Sequence, residues 1–441
     1  MLVILCTQSS PGTEAPRRKD LTAGRGAPAK IESTAGPVWQ LDVRALGFAN
    51  PHRPESSRGP FPHDPVSYLA GGQIVVTFVT RVAPEGVPRR DQPDESLPFR
   101  LHALFIDAAT GKVRTEREWP TASARSCVLP SPGGKFLVFT PDKLLLYSPS
   151  LELLQELSLP LRRKANWETW ELHPSPAGKY LLISYDAKSN ERFAGTLRQA
   201  RLPQDRDLID RTFAQLELSE DLVDTEELSI LGSWTVKLGF DDTHPPTSIS
   251  DEGLLVLGEK AERFDSPWQP VPLFSRSLGF FINDQVLLAL RSKPPRLLGF
   301  DLNNTRGDLL FKEDFPDNGE IMVDPVRHSA GGQRFALAFI KGKGGIAALD
   351  IAPHYSLKRI IVFDIPSLQW VYRLDGKRQR IKNISGLALS PDGSQLGLID
   401  QNGILRAYRL SETPSAPPSR VAHTSRFWRC VRSRQVVHGQ H

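Results

Sequence analysis

The sequence predicts an all-β protein, namely a single β-propeller of about seven four-stranded antiparallel blades. A polar turn that ends in glycine recurs along the chain, and each copy is followed by further short apolar segments. Between residues 37 and 410 short apolar segments alternate with turn residues, and helical periodicity is weak. The 37 prolines and 33 glycines fit many short strands that are separated by many turns.

The recurring turn is clearest as Ser-Pro-Asp-Gly at 390–393, between the apolar segments 387–389 and 396–399. Proline presets φ at the first central turn position, aspartate or serine bonds the local backbone, and glycine takes the positive φ that closes a hairpin. Each copy therefore predicts a hairpin. Two more full copies, three partial copies and one degenerate copy without glycine lie at 131–134, 175–178, 69–72, 250–253, 329–332 and 281–285.

Each hairpin is followed by an apolar segment that ends in a polar break, and this segment predicts a third strand of the same blade. Such segments lie at 104–107, 144–147, 297–302, 360–365 and 404–410. Residues 370–374 predict a fourth strand, which leads to the next turn. The turns are spaced slightly wider than the about 40–50 residues of a propeller repeat. Three insertions explain the excess, at 83–98, 186–212 and 341–346, and the segment Leu197–Leu218 is the one candidate helix.

The ends of the repeat region predict how the propeller closes. The last unit ends at Leu410 with its third strand, whereas the first strand, 37–43, has no turn unit before it. We expect residues 37–43 to supply the fourth strand of the last blade, because this pairing removes two exposed sheet edges.

The composition divides the chain into three parts. Residues 1–36 predict a flexible leader, 37–412 the propeller and 413–441 a disordered basic tail. The apolar start, Met1 to Cys6, is too short for an export signal, although it could be the end of one that begins upstream. An extracytoplasmic and a cytoplasmic location are therefore both left open.

The net charge of +5 indicates no particular partner. Residues 413–441 contain five arginines and no acidic residue, so the remainder of the chain is neutral. We therefore expect no nucleic-acid binding. The three cysteines lack the spacing of a disulfide framework or a zinc site, and Cys127 is expected to be a buried apolar residue. No apolar segment is long enough for a transmembrane helix.

The Ser-Pro-Asp-Gly turn and the strand 360–365 resemble the WD-repeat, YVTN-repeat and quinoprotein-like superfamily of β-propellers, in its bacterial-type members. The resemblance covers residues 37–410 and implies the fold rather than a function. The Trp-Asp and Gly-His pairs of true WD repeats are missing. Phe363-Asp364 and Phe300-Asp301 stand where Trp-Asp would end a strand.

The sequence predicts no catalytic, cofactor-binding or metal-binding residues, and no cofactor. Five residues are weak binding candidates: Trp167, Trp170, Asp242, His244 and Trp268. Exposed tryptophans provide large contact areas, and an aspartate beside a histidine can bind a metal or act as an acid or base. Each also has a structural interpretation, as an aromatic ring packed between sheets or as part of a polar turn.

The function that follows is a non-enzymatic propeller whose loops bind a protein or a small ligand. The alternative is a propeller enzyme of the lactonase, quinoprotein or hydrolase type, with its site at the mouth of the channel. Such a site takes residues from several blades, so one sequence does not reveal it. The chain is expected to be a monomer with no transmembrane segment.

Overall fold

The computed structural model describes these residues: 36–48, 65–82, 99–123, 125–159, 171–186, 193, 206–213, 215–237, 248–257, 260–263, 271–272, 278–292, 295–302, 308–315, 320–328, 331–343 and 354–410. The predicted leader and tail, 1–36 and 413–441, lie outside them apart from Gly36.

The described strands form seven separate four-stranded sheets, and neighbouring strands within each sheet are antiparallel. Sheets I to III follow one another in the first half of the chain. Sheet I contains β2 (Val66–Leu69), β3 (Gln73–Arg81), β4 (Phe99–Asp107) and β5 (Val113–Thr121). Sheet II contains β6 (Cys127–Pro130), β7 (Phe136–Thr140), β8 (Lys143–Tyr147) and β9 (Leu153–Ser158). Sheet III contains β10 (Glu171–Pro174), β11 (Tyr180–Asp186), β12 (Glu217–Asp224) and β13 (Ser229–Lys237).

Sheets IV to VII follow in the second half. Sheet IV is the smallest, with β14 (Ser248–Ile249), β15 (Leu254–Leu257), β16 (Lys260–Arg263) and β17 (Val271–Pro272). Sheet V contains β18 (Leu278–Asn283), β19 (Val286–Ser292), β20 (Pro295–Asp301) and β21 (Asp308–Asp314). Sheet VI contains β22 (Ile321–His328), β23 (Arg334–Lys343), β24 (His354–Asp364) and β25 (Gln369–Asp375). Sheet VII contains β26 (Ile384–Leu389), β27 (Gln395–Asp400), β28 (Ile404–Arg409) and, from the start of the chain, β1 (Trp39–Asp42).

The hydrophobic core is divided among the junctions between sheets. In the described part of the chain, each of seven buried clusters combines side chains from two consecutive sheets, and one of the clusters joins sheet VII to sheet I. Because each sheet packs on the next in this way, most of the described residues in the first three strands are buried, and in most sheets these strands are rich in valine, leucine, isoleucine and phenylalanine. This arrangement of antiparallel sheets is a β-propeller, as the sequence predicts.

The predicted hairpins are confirmed at all seven positions. The turns at 69–72, 131–134, 175–178, 250–253, 281–285, 329–332 and 390–393 each join the first strand of a sheet to its second. Glycine has a positive φ in six of these turns, for example 69° at Gly393, which is the conformation for which the turn chemistry selects it. The third strands predicted at 104–107, 144–147, 297–302, 360–365 and 404–410 are β4, β8, β20, β24 and β28.

The predicted pairing of residues 37–43 with the last sheet is also observed, with a shorter strand. Trp39 lies opposite Ala407 and Asp42 lies opposite Ile404 in an antiparallel pair. Val43 is not part of the strand. It begins a 3₁₀ turn, Val43–Leu46, because the Asp42 carboxylate accepts a hydrogen bond from the Arg44 backbone N–H at 3.0 Å and caps the turn.

Two boundaries from the sequence are wrong. The candidate helix Leu197–Leu218 is described as a helix only at Arg206–Phe213, here called α1, and its last two residues belong to β12. The insertion expected at 341–346 starts too early, because Lys341–Lys343 continue β23 and pair with β24. Among the described helices none has the length and apolar character that a membrane crossing requires.

Candidate functional site

The seven turns between first and second strands meet on one face of the molecule, here called the turn face. Each turn, or the strand residue beside it, contacts its counterpart in the next sheet. The contacting pairs are Ala70 with Gly134, Pro130 with Gly178, Ala177 with Asp251, Glu252 with Asp284, Asn283 with Gly332, Gly331 with Pro391, and Gln395 with Tyr68.

Polar groups of the turn face bond to one another across the sheet junctions. The Asp251 carboxylate accepts hydrogen bonds from Ser175 Oγ at 2.5 Å and from the Ala177 backbone N–H at 2.9 Å. Asp284 accepts from the Glu252 backbone N–H at 2.8 Å in the same way. Burial raises the pKa of Asp251, and the hydrogen bond from Ser175 opposes that rise. These carboxylates hold adjacent turns together, which is a structural role.

A buried ion pair continues this pattern at the junction of sheets VI and VII. Arg334 Nε donates to Asp364 Oδ1 at 3.1 Å, and its NH1 group donates to the Gly393 carbonyl oxygen at 2.8 Å. Asp364 ends β24, as the Phe-Asp pair predicts, and its other oxygen accepts from the Ser367 hydroxyl at 2.6 Å. An arginine of the neighbouring strand therefore bonds the aspartate that ends the third strand.

The Ser-Pro-Asp-Gly turn is held by its own aspartate. Asp392 Oδ1 accepts from Ser390 Oγ at 2.5 Å and from the Ser394 backbone N–H at 3.0 Å. Burial alone would raise the pKa of Asp392, but the hydrogen bonds from Ser390 and Ser394 lower it below its ordinary value. The side-chain groups of Ser390, Asp392 and Ser394 are therefore bonded to one another within the turn.

The other face carries the remaining connections and is here called the connection face. Since the strands of each sheet are antiparallel, the links from second to third strands, and from each sheet to the next, leave from the face opposite the turns. The longest of them are 43–65, 82–98, 159–170, 187–216, 238–247 and 344–353. On the turn face, no link between consecutive strands of a sheet is longer than 264–270. The longest links between strands therefore leave from the connection face, whereas β1 begins and β28 ends on the turn face.

The five binding candidates from the sequence, Trp167, Trp170, Asp242, His244 and Trp268, all lie outside the described residues. By their place in the chain, the first four belong to links between consecutive sheets, which leave from the connection face. Trp268 belongs to the link between β16 and β17, which leaves from the turn face. The structure does not test their role, which stays a prediction.

A group that the sequence did not predict lies on the two outer strands of sheet I. His102 on β4 is directly opposite Glu118 on β5, and Glu116 lies two residues away on the same side. His102 Nδ1 is 3.1 Å from Glu118 Oε1 and 3.7 Å from Glu116 Oε1. The three ligand atoms lie within 4.8 Å of one another. Within the described part of the chain, these three side chains are the group whose nitrogen and carboxylate oxygens lie close enough together to bind one metal ion.

The imidazole ring of His102 is held from two sides. The Thr80 hydroxyl is 2.8 Å from Nε2, and the Phe78 ring stacks on the imidazole with centroids 4.8 Å apart and an interplanar angle of 4°. The side chain of His102 is 13% exposed, against 47% for Glu116 and 41% for Glu118. The nitrogen is thus fixed and sheltered, while the carboxylates reach solvent.

A β-bulge explains why the sequence did not reveal this group. Near the turn, Ile106 is opposite Val113, and that register would place Arg117 opposite His102. The bulge at Arg114 shifts the register by one residue and moves both glutamates to the side of the histidine. The sequence does contain a signal for this group, namely two glutamates separated by one residue, Glu116 and Glu118, on the strand after His102. This pattern predicts a shared side with His102 only when the position of the bulge is known.

A second polar group is buried in sheet III and is fully bonded at its centre. The Asp221 carboxylate accepts from Tyr185 Oη at 2.9 Å and from Ser233 Oγ at 2.5 Å. These bonds join β11, β12 and β13 side by side. The contacts satisfy the buried charge and give it a structural role.

No protein-family model matches the sequence, and no curated protein matches it significantly. Solved structures with a similar fold include a chain from the crystal structure of the mitotic checkpoint complex, with 11% identity, 88% of this chain and 99% of that chain covered, and a TM-score of 0.45. The C-terminal WD40 domain of Sif2 has 10% identity, coverage of 79% and 97%, and a TM-score of 0.40. A chain of Kuenenia stuttgartiensis hydrazine synthase has 13% identity, coverage of 78% and 76%, and a TM-score of 0.33. Likenesses of this size carry no argument about binding or catalysis.

The class of the protein follows from its own architecture. Four-stranded antiparallel sheets, cores shared by consecutive sheets, and a continuous row of hairpin turns define a β-propeller.

Proposed function

We propose that this chain is a non-enzymatic binding propeller, and that its connection face recognises a protein or a small ligand. The observation that carries this proposal is the difference between the two faces. The polar groups of the turn face bond to one another, whereas the longest links leave from the connection face. Loops on a rigid scaffold are the usual location of recognition sites, because they vary without disturbing the core.

The proposal includes the organisation of the whole chain. We infer that the seven sheets are the blades of one closed ring that spans residues 37–412, flanked by a flexible leader and a basic tail, and that the chain is monomeric. The shared core between sheets VII and I and the pairing of β1 with β28 support the closed ring. Limited proteolysis with mass spectrometry should leave a resistant fragment near 37–412. A resistant core ending well inside sheet VI or VII would contradict this organisation.

The test of the binding face compares two matched variants in affinity capture from an extract of the source cells. In the first variant a glycine-serine segment of equal length replaces residues 86–95 in a connection-face link. In the second, Glu226→Lys and Glu227→Lys reverse two exposed charges on the turn face. Proteins captured by the parent should be lost with the first variant and kept with the second. The opposite pattern, or loss with both, would place recognition elsewhere.

A small-ligand screen by thermal shift completes the test of function. A ligand that stabilises the parent and the turn-face variant, but not the connection-face variant, supports the proposal. Chemical turnover of that ligand by the parent would instead support a propeller enzyme.

A further inference from the structure

We propose that His102, Glu116 and Glu118 form a binding site for one divalent transition-metal ion, and that Zn²⁺ is the ion that fits best. The site lies on the outer strands of sheet I and goes beyond the binding function proposed above. It rests on the geometry of the three side chains, on the way the imidazole ring is held and on the chemistry of the donor atoms.

The two distances from His102 Nδ1 to the glutamate oxygens are close to those around a tetrahedral zinc ion. Zinc binds imidazole nitrogen and carboxylate oxygen at about 2.0–2.2 Å. Two such donors at a tetrahedral angle are then roughly 3.3–3.6 Å apart. The separations of 3.1 Å and 3.7 Å from His102 Nδ1 to the two glutamate oxygens lie on either side of this range. The two glutamate oxygens lie within 4.8 Å of each other, and rotation of these partly exposed side chains would bring all three donors to one ion.

The hydrogen bond to Thr80 favours Nδ1 as a metal ligand. When Nε2 carries the ring hydrogen and donates it to Thr80 Oγ1, Nδ1 is left unprotonated, with its lone pair close to the two carboxylates. The lone pair and two nearby negative charges repel one another, and a cation bound by all three removes the repulsion. A hydrogen-bonded second nitrogen is also the usual way in which proteins orient a metal-binding histidine.

The orientation of Nδ1 supports a bound cation. Within the described residues Nδ1 is buried and makes no hydrogen bond, although Glu118 Oε1 is only 3.1 Å away. The distance allows a hydrogen bond but the direction does not, so the nitrogen does not point at that oxygen. A simple histidine–glutamate hydrogen bond is therefore not what positions the ring.

The glutamates leave room for an ion and for water. The two carboxylate oxygens of Glu118 have different partners. Oε2 accepts a hydrogen bond from Arg100 at 2.8 Å, while Oε1 lies 3.1 Å from His102 Nδ1. Both glutamates are partly exposed, which provides an entry path and a fourth position for a water molecule. An imidazole with two carboxylates suits zinc better than calcium or magnesium, which prefer oxygen ligands alone.

The test measures Zn²⁺ binding to the full chain after removal of metal by a chelator, with isothermal titration calorimetry and elemental analysis. Glu116→Gln is the main variant, because its side chain is exposed and its loss should not disturb folding. Glu156→Gln is the matched control, a partly exposed glutamate on the fourth strand of sheet II. We expect Glu116→Gln to weaken one Zn²⁺ site about a hundredfold, and Glu156→Gln to leave it unchanged.

Thr80→Val tests the positioning of the ring. This variant should weaken the same site about tenfold and shift the visible absorption bands of bound Co²⁺, which a purely structural role of Thr80 would leave unchanged. Circular dichroism checks that each variant is folded. Equal Zn²⁺ binding by the parent and Glu116→Gln would overturn the proposal, because the metal would then be bound elsewhere, for example by histidines of the tail. Absence of Zn²⁺ binding to the parent would overturn it as well.

Discussion

Arg334 is the residue on which the junction of sheets VI and VII depends most directly. Its guanidinium and the carboxylate of Asp364 are less than a tenth exposed, so water does not replace either partner. Truncation of one member of such a pair leaves a buried charge without compensation, which costs about 3–5 kcal/mol. The guanidinium also bonds the turn of the next sheet at Gly393, so its loss affects two sheets.

We therefore expect Arg334→Leu to lower the free energy of unfolding by about 3 kcal/mol. Guanidinium denaturation followed by circular dichroism measures the change. Lys143→Met, which breaks an exposed pair with Glu156, is the control and should change stability by less than about 1 kcal/mol. Equal effects of the two substitutions would mean that the buried pair contributes no more to the free energy of unfolding than the exposed pair does.

Asp251 makes the turn face sensitive to pH. Burial raises its pKa above the ordinary value of 3.8, so the folded protein holds the proton more tightly than the unfolded chain. The contribution of this group to stability is complete at pH values below 3.8 and is lost as the pH rises through the folded pKa.

The comparison with Asp251→Asn isolates this effect, because the amide oxygen can still accept from Ser175 and Ala177 but does not ionise. The stability of the parent relative to this variant should fall as the pH rises from about 4 to 7, measured by thermal melts in a series of buffers. A constant difference across that range would show that the carboxylate does not titrate there.

The turns between third and fourth strands are a second repeat, which the sequence showed only as a short polar break. Five sheets have a β-bulge directly after this turn, where the extra residues are Arg114, Leu154, Leu231, Leu310 and Val371. In four of these sheets the residue three positions before the extra one has a positive φ, at Gly111, Leu151, Leu228 and Leu368. Leucine is strained there by about 1–2 kcal/mol, yet its side chain packs on a junction core in all three cases.

Gly111 occupies this position in sheet I, where the φ angle is 72° and a Cβ atom would stand 2.7 Å from the Trp39 ring. Gly111→Ala should therefore destabilise the protein by more than Gly71→Ala, which has a similar φ of 83° but open space around it. We expect a difference of about 1–2 kcal/mol in chemical denaturation. Identical losses would show that the Trp39 ring moves aside at no cost.

The elements differ in how far the sequence predicts them. The first hairpin of each sheet is local, since Ser-Pro-Asp-Gly determines its own turn, and all seven were predicted. The His102 group is not local, because one bulged residue decides which side chains of β5 share a side with His102. Leucines 151, 228 and 368 at positive φ were equally invisible, because leucine is not a turn residue and is held there by packing.

At the scale of the molecule, β1 joins the two ends of the repeat region. Besides pairing with β28, it brings Trp39 against sheet I, where the indole Nε1 donates to the Ala108 carbonyl oxygen at 2.8 Å. One strand thus completes sheet VII and contacts sheet I. The pairing could be predicted by counting strands, whereas the contact of Trp39 with sheet I could not.

Deletion of residues 37–45 should lower the melting temperature strongly, because it exposes the edge of β28 and removes the Trp39 contact. Trp39→Ala alone should cost about 2 kcal/mol, which is less than the about 3–5 kcal/mol of a fully buried large aromatic residue because the Trp39 ring is half-buried. Deletion of residues 1–30 is the control for the loss of chain as such. An unchanged melting temperature after deletion of 37–45 would show that sheet VII is stable with three strands.

The position of β1 also has a consequence for biosynthesis. A ribosome produces Trp39–Asp42 before the strands of sheets I to VI, and the partner strand Ile404–Arg409 after them. Until β28 is made, the nascent polypeptide therefore carries β1 as an unpaired strand, although sheets I to VI can already form. Such an open edge is prone to pair with another chain. Completion of the propeller is thus a late step that depends on the synthesis of β28.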